Sequence, residues 1–177
     1  MAPKEFLKNL STFTAKIIAE AQNKMQANFL SYHFDREELL ATMTANGFHA
    51  KYPEIILHHI TLVYPFDRSK AAYQDGFLYS YNQTVEEWEQ TTKTAKIVGY
   101  ADGGDIEAFV VEIDGLKIRP KFQLINGNGE VKIMNDKNEL FHITFSKQPG
   151  VAPKKSNDAI AVGYQDIDGP TFSIRGV

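Results

Sequence analysis

Residues 96–113 read KIVGYADGGDIEAFVVEI, and this stretch predicts an antiparallel β-hairpin. Apolar, β-branched and aromatic residues, which are common in strands, dominate both arms, 96–101 and 106–113. The four residues between the arms, 102–105, have the Asp and Gly composition of a tight turn. The sequence therefore predicts two paired strands here, and the Gly103-Gly104 pair is interpreted as a turn rather than a phosphate-binding loop, since no Lys-Ser or Lys-Thr helix start follows it.

Further strands are predicted on both sides of this hairpin, with a second hairpin around the turn residues Asn126–Gly129. The predicted strands are Ile55–Tyr64, Phe122–Ile125, Val131–Met134, Leu140–Ser146 and Phe172–Val177. Residues 66–92 stay unassigned, although Thr84–Glu87 has the composition of a short helix start.

Helices are predicted mainly in the N-terminal third. Apolar residues recur at steps of three and four between Phe6 and Met25, as in an amphipathic helix. A second helix is predicted to begin at the N-cap Asp35 and to end at Asn46-Gly47. The prediction is one α+β domain over residues 1–177, with a helical part at 1–47 and a mostly β part at 55–177.

Composition limits the classes of function. The chain has 177 residues, of which 43% are hydrophobic and 23% charged, and its net charge of −3 argues against a long basic groove for nucleic acid. It has no cysteine, which excludes disulfides, thiol nucleophiles and thiolate zinc sites. No signal peptide or membrane span is recognisable, so we expect a cytoplasmic, soluble protein, monomeric and without a membrane partner.

Two stretches carry the candidate chemistry. Residues 57–63 read LHHITLV and residues 140–146 read LFHITFS, so each places His and Thr two positions apart in an apolar strand. Side chains alternate across a strand, which predicts that His59 and Thr61 share one face and that His142, Thr144 and Ser146 share another. Each strand then presents one proton-transfer group and one hydroxyl donor.

These groups suit phosphoryl transfer without a metal or other cofactor. One neutral imidazole can take a proton from water, while a protonated one gives a proton to the leaving oxygen. The hydroxyls of Thr61 and Thr144 are predicted to bind the non-bridging oxygens. A single His-x-Thr is more often structural, but two matching copies are harder to explain in that way. A metal site would need a third ligand at fixed spacing, and no His, Asp or Glu completes either motif.

The other histidines and nearby lysines receive weaker interpretations. By strand alternation His58 is predicted to face away from His59 and to be structural. His33 and His49 have no partner motif and are assigned no role. Three lysines follow the second motif and either add positive charge at the site or are ordinary solvated surface residues: Lys147, Lys154 and Lys155.

The paired motifs resemble the signature of the two-histidine (2H) phosphoesterase superfamily. Residues 141–158, which include the second motif and the following Pro-Gly and Ser-Asn-Asp stretch, are similar to the cyclic phosphodiesterase domain of tRNA ligases. The resemblance covers about residues 55–177. Residues 119–139 form a longer connection than the family pattern has, and we expect an extra hairpin over the cleft there.

The resemblance implies a bilobal fold of antiparallel sheets around a central cleft, floored by His59, Thr61, His142 and Thr144. It also implies a metal-independent phosphodiesterase that hydrolyses 2′,3′-cyclic phosphate or 2′-linked phosphodiester bonds of nucleotides or RNA ends. Two alternatives stay open: a viral or phage-type enzyme that degrades cyclic or 2′-5′ oligonucleotide signals, and an inactive module that binds RNA ends. By similarity, His142 is the expected base and His59 the expected acid.

Overall fold

The protein is mixed α/β and mostly antiparallel, with few helices and a large curled sheet in the form of a half-barrel. A computed structural model describes residues 29–64, 76–89, 91–125, 129–135, 137 and 139–176. The predicted helix between Phe6 and Met25 lies outside the described residues. Among the described residues, no helix has both the length and the apolar character to cross a bilayer.

The large sheet has eight strands; the second His-x-Thr motif lies on one of them, and the first motif spans the start of another. Seven strands follow one another in the order β2-β10-β7-β6-β12-β1-β3, and β11 pairs with β6 beside β12. All pairs are antiparallel. The strands are β1 (Leu30–His33), β2 (Glu54–Ile55), β3 (Ile60–Val63), β6 (Thr92–Asp102), β7 (Ile106–Ile113), β10 (His142–Lys147), β11 (Gln165–Asp166) and β12 (Thr171–Gly176).

One continuous stretch of chain, 54–63, belongs to both ends of this sheet. Its first part pairs with β10, and the Leu57 backbone N–H still donates to the Thr144 carbonyl oxygen over 3.0 Å. Its last part pairs with β1 on the opposite edge. Between them the chain turns at Leu57, which has a left-handed φ of +44° and a fully buried side chain. This stretch brings β3 into contact with β10.

A second sheet of four strands, in the order β5-β4-β8-β9, lies next to the large one. Its strands are β4 (Phe77–Leu78), β5 (Gln83–Thr84), β8 (Phe122–Ile125) and β9 (Val131–Met134). The buried Asn135 at the end of β9 donates to the carbonyl oxygens of Leu62 and Pro120 over 2.7 and 2.9 Å. These bonds connect the second sheet to β3 near the first motif.

Three α-helices and one 3₁₀ helix complete the described fold: α1 (Arg36–Ala45), α2 (Val85–Glu89), α3 (Lys155–Val162) and the 3₁₀ turn Tyr79–Tyr81. Asp35 caps α1 by accepting from the Glu38 backbone N–H over 3.1 Å. Thr84 and Glu87 cap α2 with two reciprocal bonds of 3.2 Å each. Ala159 and Ile160 of α3 pack against β6 and β7.

The structure confirms most predicted elements and corrects others. Both hairpins, the strand at the second motif, the terminal strand and helix α1 lie where the sequence predicts them. The segment 1–47 is not helical throughout, because Leu30–His33 is a strand. Helix α3 was missed, and with α2 it shows that the described helices are not confined to the N-terminal third.

The predicted orientation of Ser146 is also wrong. The pairing of β10 with β7 shifts register between Thr144 and Ser146, so the strict alternation ends there. Ser146 is fully buried, donates to Glu107 Oε2 over 2.6 Å and accepts from the Tyr52 backbone N–H over 3.2 Å. Its hydroxyl therefore connects β10 to its neighbours and is not part of the cleft.

Ser146→Ala is expected to lower the free energy of unfolding by about 1–3 kcal/mol, because it leaves a buried N–H without a partner and removes a donor to a buried carboxylate. Urea denaturation measures this change. Ser173→Ala, on the exposed part of β12, is the matched control and is expected to stay within about 0.5 kcal/mol of the parent. Equal stability of the two variants would contradict the assignment of Ser146 to a structural network.

Candidate active site

The two predicted motifs line one cleft of about 390 Å³. This volume is within the range of small-ligand sites. The cleft lies at the place where stretch 54–63 leaves β10 and joins β1. Its described lining residues are Phe29, Ile56, His58, His59, Thr61, Tyr64, Arg119, Glu139, His142, Thr144, Pro153, Lys154 and Asn157. All four sequence-predicted site residues are thus brought together.

His142 is held by the strand on which it lies. Its Nδ1 is 3.4 Å from the Leu140 carbonyl oxygen, and since a carbonyl can only accept, Nδ1 carries the proton in this contact. The lone pair is then on Nε2. Burial, with the nearby Arg119 charge second, lowers the pKa of His142 to about 4. The side chain is therefore a neutral imidazole near pH 7, with one nitrogen able to accept a proton.

His59 lies just before β3 rather than within it, and aromatic rings hold it in place. Its ring stacks on Phe29 with centroids 4.7 Å apart, and the His33 ring lies parallel at 6.3 Å. Burial, followed by the charges of His33 and His58, lowers the pKa of His59 to about 4. His33, which was assigned no role from the sequence, is therefore a neighbour of the first motif.

The two threonines reach the cleft from different strands, and the hydroxyl of Thr144 is already hydrogen-bonded. Thr144 Oγ1 donates to Ser156 Oγ over 3.0 Å, and Ser156 in turn donates to the Pro153 carbonyl oxygen over 2.8 Å. Thr61 lines the cleft from β3. A ligand that used the Thr144 hydroxyl proton would have to compete with Ser156. Ser156 lies on helix α3, which was not predicted from the sequence.

The prediction that His58 faces away from the site is wrong. His58 lines the same cleft as His59 and is exposed. The physical reason is the left-handed backbone at Leu57, after which residues 58 and 59 are not part of a regular strand. Side-chain alternation does not apply to such a segment. His58 therefore cannot serve as a silent control for His59.

Arg119 and Glu139 were missed as site residues. The sequence predicts a hairpin within residues 119–139, and this hairpin forms β8 and β9 of the second sheet, but neither end of the segment was assigned to the site. The ends of that insertion reach the cleft, where Arg119 Nη1 donates to Glu139 Oε2 over 3.1 Å. The signal available in the sequence was the position of a cation and an anion at the two ends of the insertion.

Of the three lysines after the second motif, one lies at the cleft and two form ion pairs with other residues. Lys154 lines the cleft. Lys147 is buried and forms an ion pair with Glu54, and Lys155 pairs with Asp105 over 3.7 Å. Only Lys154, among these three, adds positive charge to the cleft wall.

Comparisons with protein-family models, with curated proteins and with solved structures found no match to this chain. We therefore infer function from the geometry of the cleft. Among the described residues, no group of three or more His, Asp or Glu side chains is arranged to hold a metal ion.

The two lowered pKa values make the stability of the protein pH-dependent. An unfolded histidine has a pKa of about 6.5, so between about pH 4 and pH 6.5 the unfolded chain binds more protons than the folded one. The free energy of unfolding therefore falls as the pH is lowered through this window. For His142 the expected loss between pH 7 and pH 5 is at most about 2 kcal/mol.

His142→Gln is expected to reduce this loss, because glutamine does not titrate. Urea denaturation of the parent and the variant at pH 7 and pH 5 measures the difference. An identical pH dependence in both proteins would contradict the neutral state of the partly buried His142.

Proposed function

We propose that this protein is a metal-independent phosphodiesterase with a 2H phosphoesterase-like bilobal fold, acting on 2′,3′-cyclic phosphate or 2′-linked phosphodiester bonds of nucleotides or RNA ends. The observation that carries the proposal is the meeting of His59, Thr61, His142 and Thr144 in one small cleft. A cleft of this size accepts a nucleotide or a single RNA terminus rather than a duplex. We propose the cytoplasm as its location.

The hydrogen bond to Leu140 supports the assignment of His142 as the general base. With Nδ1 protonated, Nε2 accepts a proton from water as the water oxygen attacks phosphorus. A group with its pKa below neutrality is already unprotonated at pH 7, so no proton has to leave before it acts.

His59 is proposed as the general acid. In a cyclic substrate the P–O3′ bond breaks as the water oxygen bonds to phosphorus, and His59 gives a proton to O3′, leaving a 2′-phosphate. In the protein alone the pKa of His59 is too low for this role, at about 4. An anionic phosphate beside the ring favours the charged imidazolium and raises that pKa, so the substrate itself supports the protonated form.

Two features argue against a module that only binds RNA ends. Binding needs donors to phosphate, but it does not need two partly buried imidazoles facing one small cleft. Burial of both rings is unfavourable for their charged forms, and such perturbed groups in a cleft are typical of proton-transfer sites. Enzymes that degrade cyclic or 2′-5′ oligonucleotide signals use the same bond chemistry and are distinguished by substrate alone.

His59→Ala and His142→Ala are each expected to lower kcat about 10²–10⁴-fold, because each removes one proton-transfer group. The double variant is expected to be little worse than either single one, since the two groups act as a unit. The assay uses a panel of 2′,3′-cyclic mononucleotides, cyclic dinucleotides and 2′-5′ oligoadenylates, with products separated by chromatography.

His49→Ala is the matched control, because His49 is exposed and lies outside the cleft. It is expected to keep the parent kcat. The proposal fails if no member of the panel is hydrolysed, or if a folded His142→Ala protein turns over as fast as the parent. Binding of these compounds without turnover would instead favour the inactive end-binding module.

A further inference from the structure

Arg119 is a buried cation in the wall of the cleft. Its side chain is 5% exposed, yet it lines the same cavity as the two motifs. It lies close enough to His142 for its charge to lower the pKa of that imidazole. Burying a guanidinium is costly unless its charge and its N–H groups are satisfied.

Among the described residues, the charge and the N–H groups of Arg119 are only partly compensated. Glu139 accepts one bond, from Nη1 over 3.1 Å, and its own side chain is 50% exposed. Arg119 Nε is buried and has no hydrogen-bond partner. An unmade bond at a buried N–H costs about 1–3 kcal/mol, and more for a charged group.

The charges on the cleft wall also favour an anionic ligand. Of the described lining residues, Arg119 and Lys154 are cations and Glu139 is an anion, while His59 and His142 are neutral near pH 7. The cleft thus has an excess of positive charge. An anion that reaches Arg119 Nε would supply both the missing acceptor and the missing charge.

We propose that Arg119 binds a non-bridging oxygen of the scissile phosphate through Nε–H, while Glu139 holds the guanidinium from its other side. The proposal rests on the proposed phosphodiesterase function and names a substrate-binding residue that the His-x-Thr motifs do not contain. It also gives the phosphate a donor without a partner among the described residues, whereas the Thr144 hydroxyl is bonded to Ser156. Arginine suits this role because its planar fork bonds phosphate and carboxylate at the same time.

The experiment measures the affinity for inorganic phosphate by titration calorimetry, and turnover of a 2′,3′-cyclic mononucleotide. Arg119→Gln is expected to weaken phosphate binding at least about tenfold, as loss of a charge-assisted bond requires. Arg119→Lys keeps the charge but not Nε, and it is expected to fall between the parent and Arg119→Gln. Arg175→Gln removes an exposed arginine of β12 and is expected to bind phosphate as the parent does.

A second variant keeps the test decisive if Arg119→Gln does not fold. Glu139→Gln keeps a side-chain carbonyl oxygen that can accept from Arg119 Nη1 but removes the negative charge. The guanidinium stays held while an incoming anion meets less repulsion, so phosphate is expected to bind several-fold more tightly. A folded Arg119→Gln protein with the parent affinity would overturn the proposal, as would unchanged or weaker binding by Glu139→Gln.

The role of Arg119 and the proposed reaction can be contradicted independently. Phosphate binding that depends on Arg119 without turnover of any nucleotide would support the anion site and contradict the proposed reaction. Turnover that depends on His59 and His142 but is the same in Arg119→Gln would support the reaction and overturn the role of Arg119.

Discussion

The structure depends on the backbone pairing of stretch 54–63 with two different edges of one sheet. Its first residues pair with β10 and its last residues pair with β1. The same stretch thus connects two separate strands of the curled sheet, and its pairing must be interrupted between them. The break falls at Leu57, whose buried side chain holds a left-handed turn in place. The cleft lies at this break, with the two motifs on its sides.

Burial then sets the chemistry of the cleft. Removing two imidazoles from water makes their neutral forms the stable ones, and the nearby guanidinium of Arg119 acts in the same direction on His142. An anionic ligand reverses both effects, because it pairs with the guanidinium and favours a charged imidazole. If the proposed function holds, the phosphate is both part of the substrate and the group that brings the proton-transfer pair into its working state.

Local patterns in the sequence predicted much of this fold. Turn composition located both hairpins, capping residues located α1, and the repeated His-x-Thr pattern named four residues that do meet in one cleft. Two of the failures, at His58 and Ser146, share one cause, a break in regular strand geometry that depends on distant contacts. The turn at Leu57 reversed the expected side of His58, and the bulge in β10 moved Ser146 into a buried network. Arg119 was missed because its burial depends on how the second sheet packs against the first.

Hydrolysis in ¹⁸O-labelled water with EDTA present distinguishes metal-independent attack by water from metal-assisted hydrolysis. We expect a 2′,3′-cyclic mononucleotide to be opened without a divalent ion and the label to enter the product phosphate, as mass spectrometry would show. This incorporation is expected to be nearly lost when either His59 or His142 is replaced by alanine. Incorporation that requires a divalent ion, or that persists when both histidines are absent, would contradict the proposed roles of the two histidines.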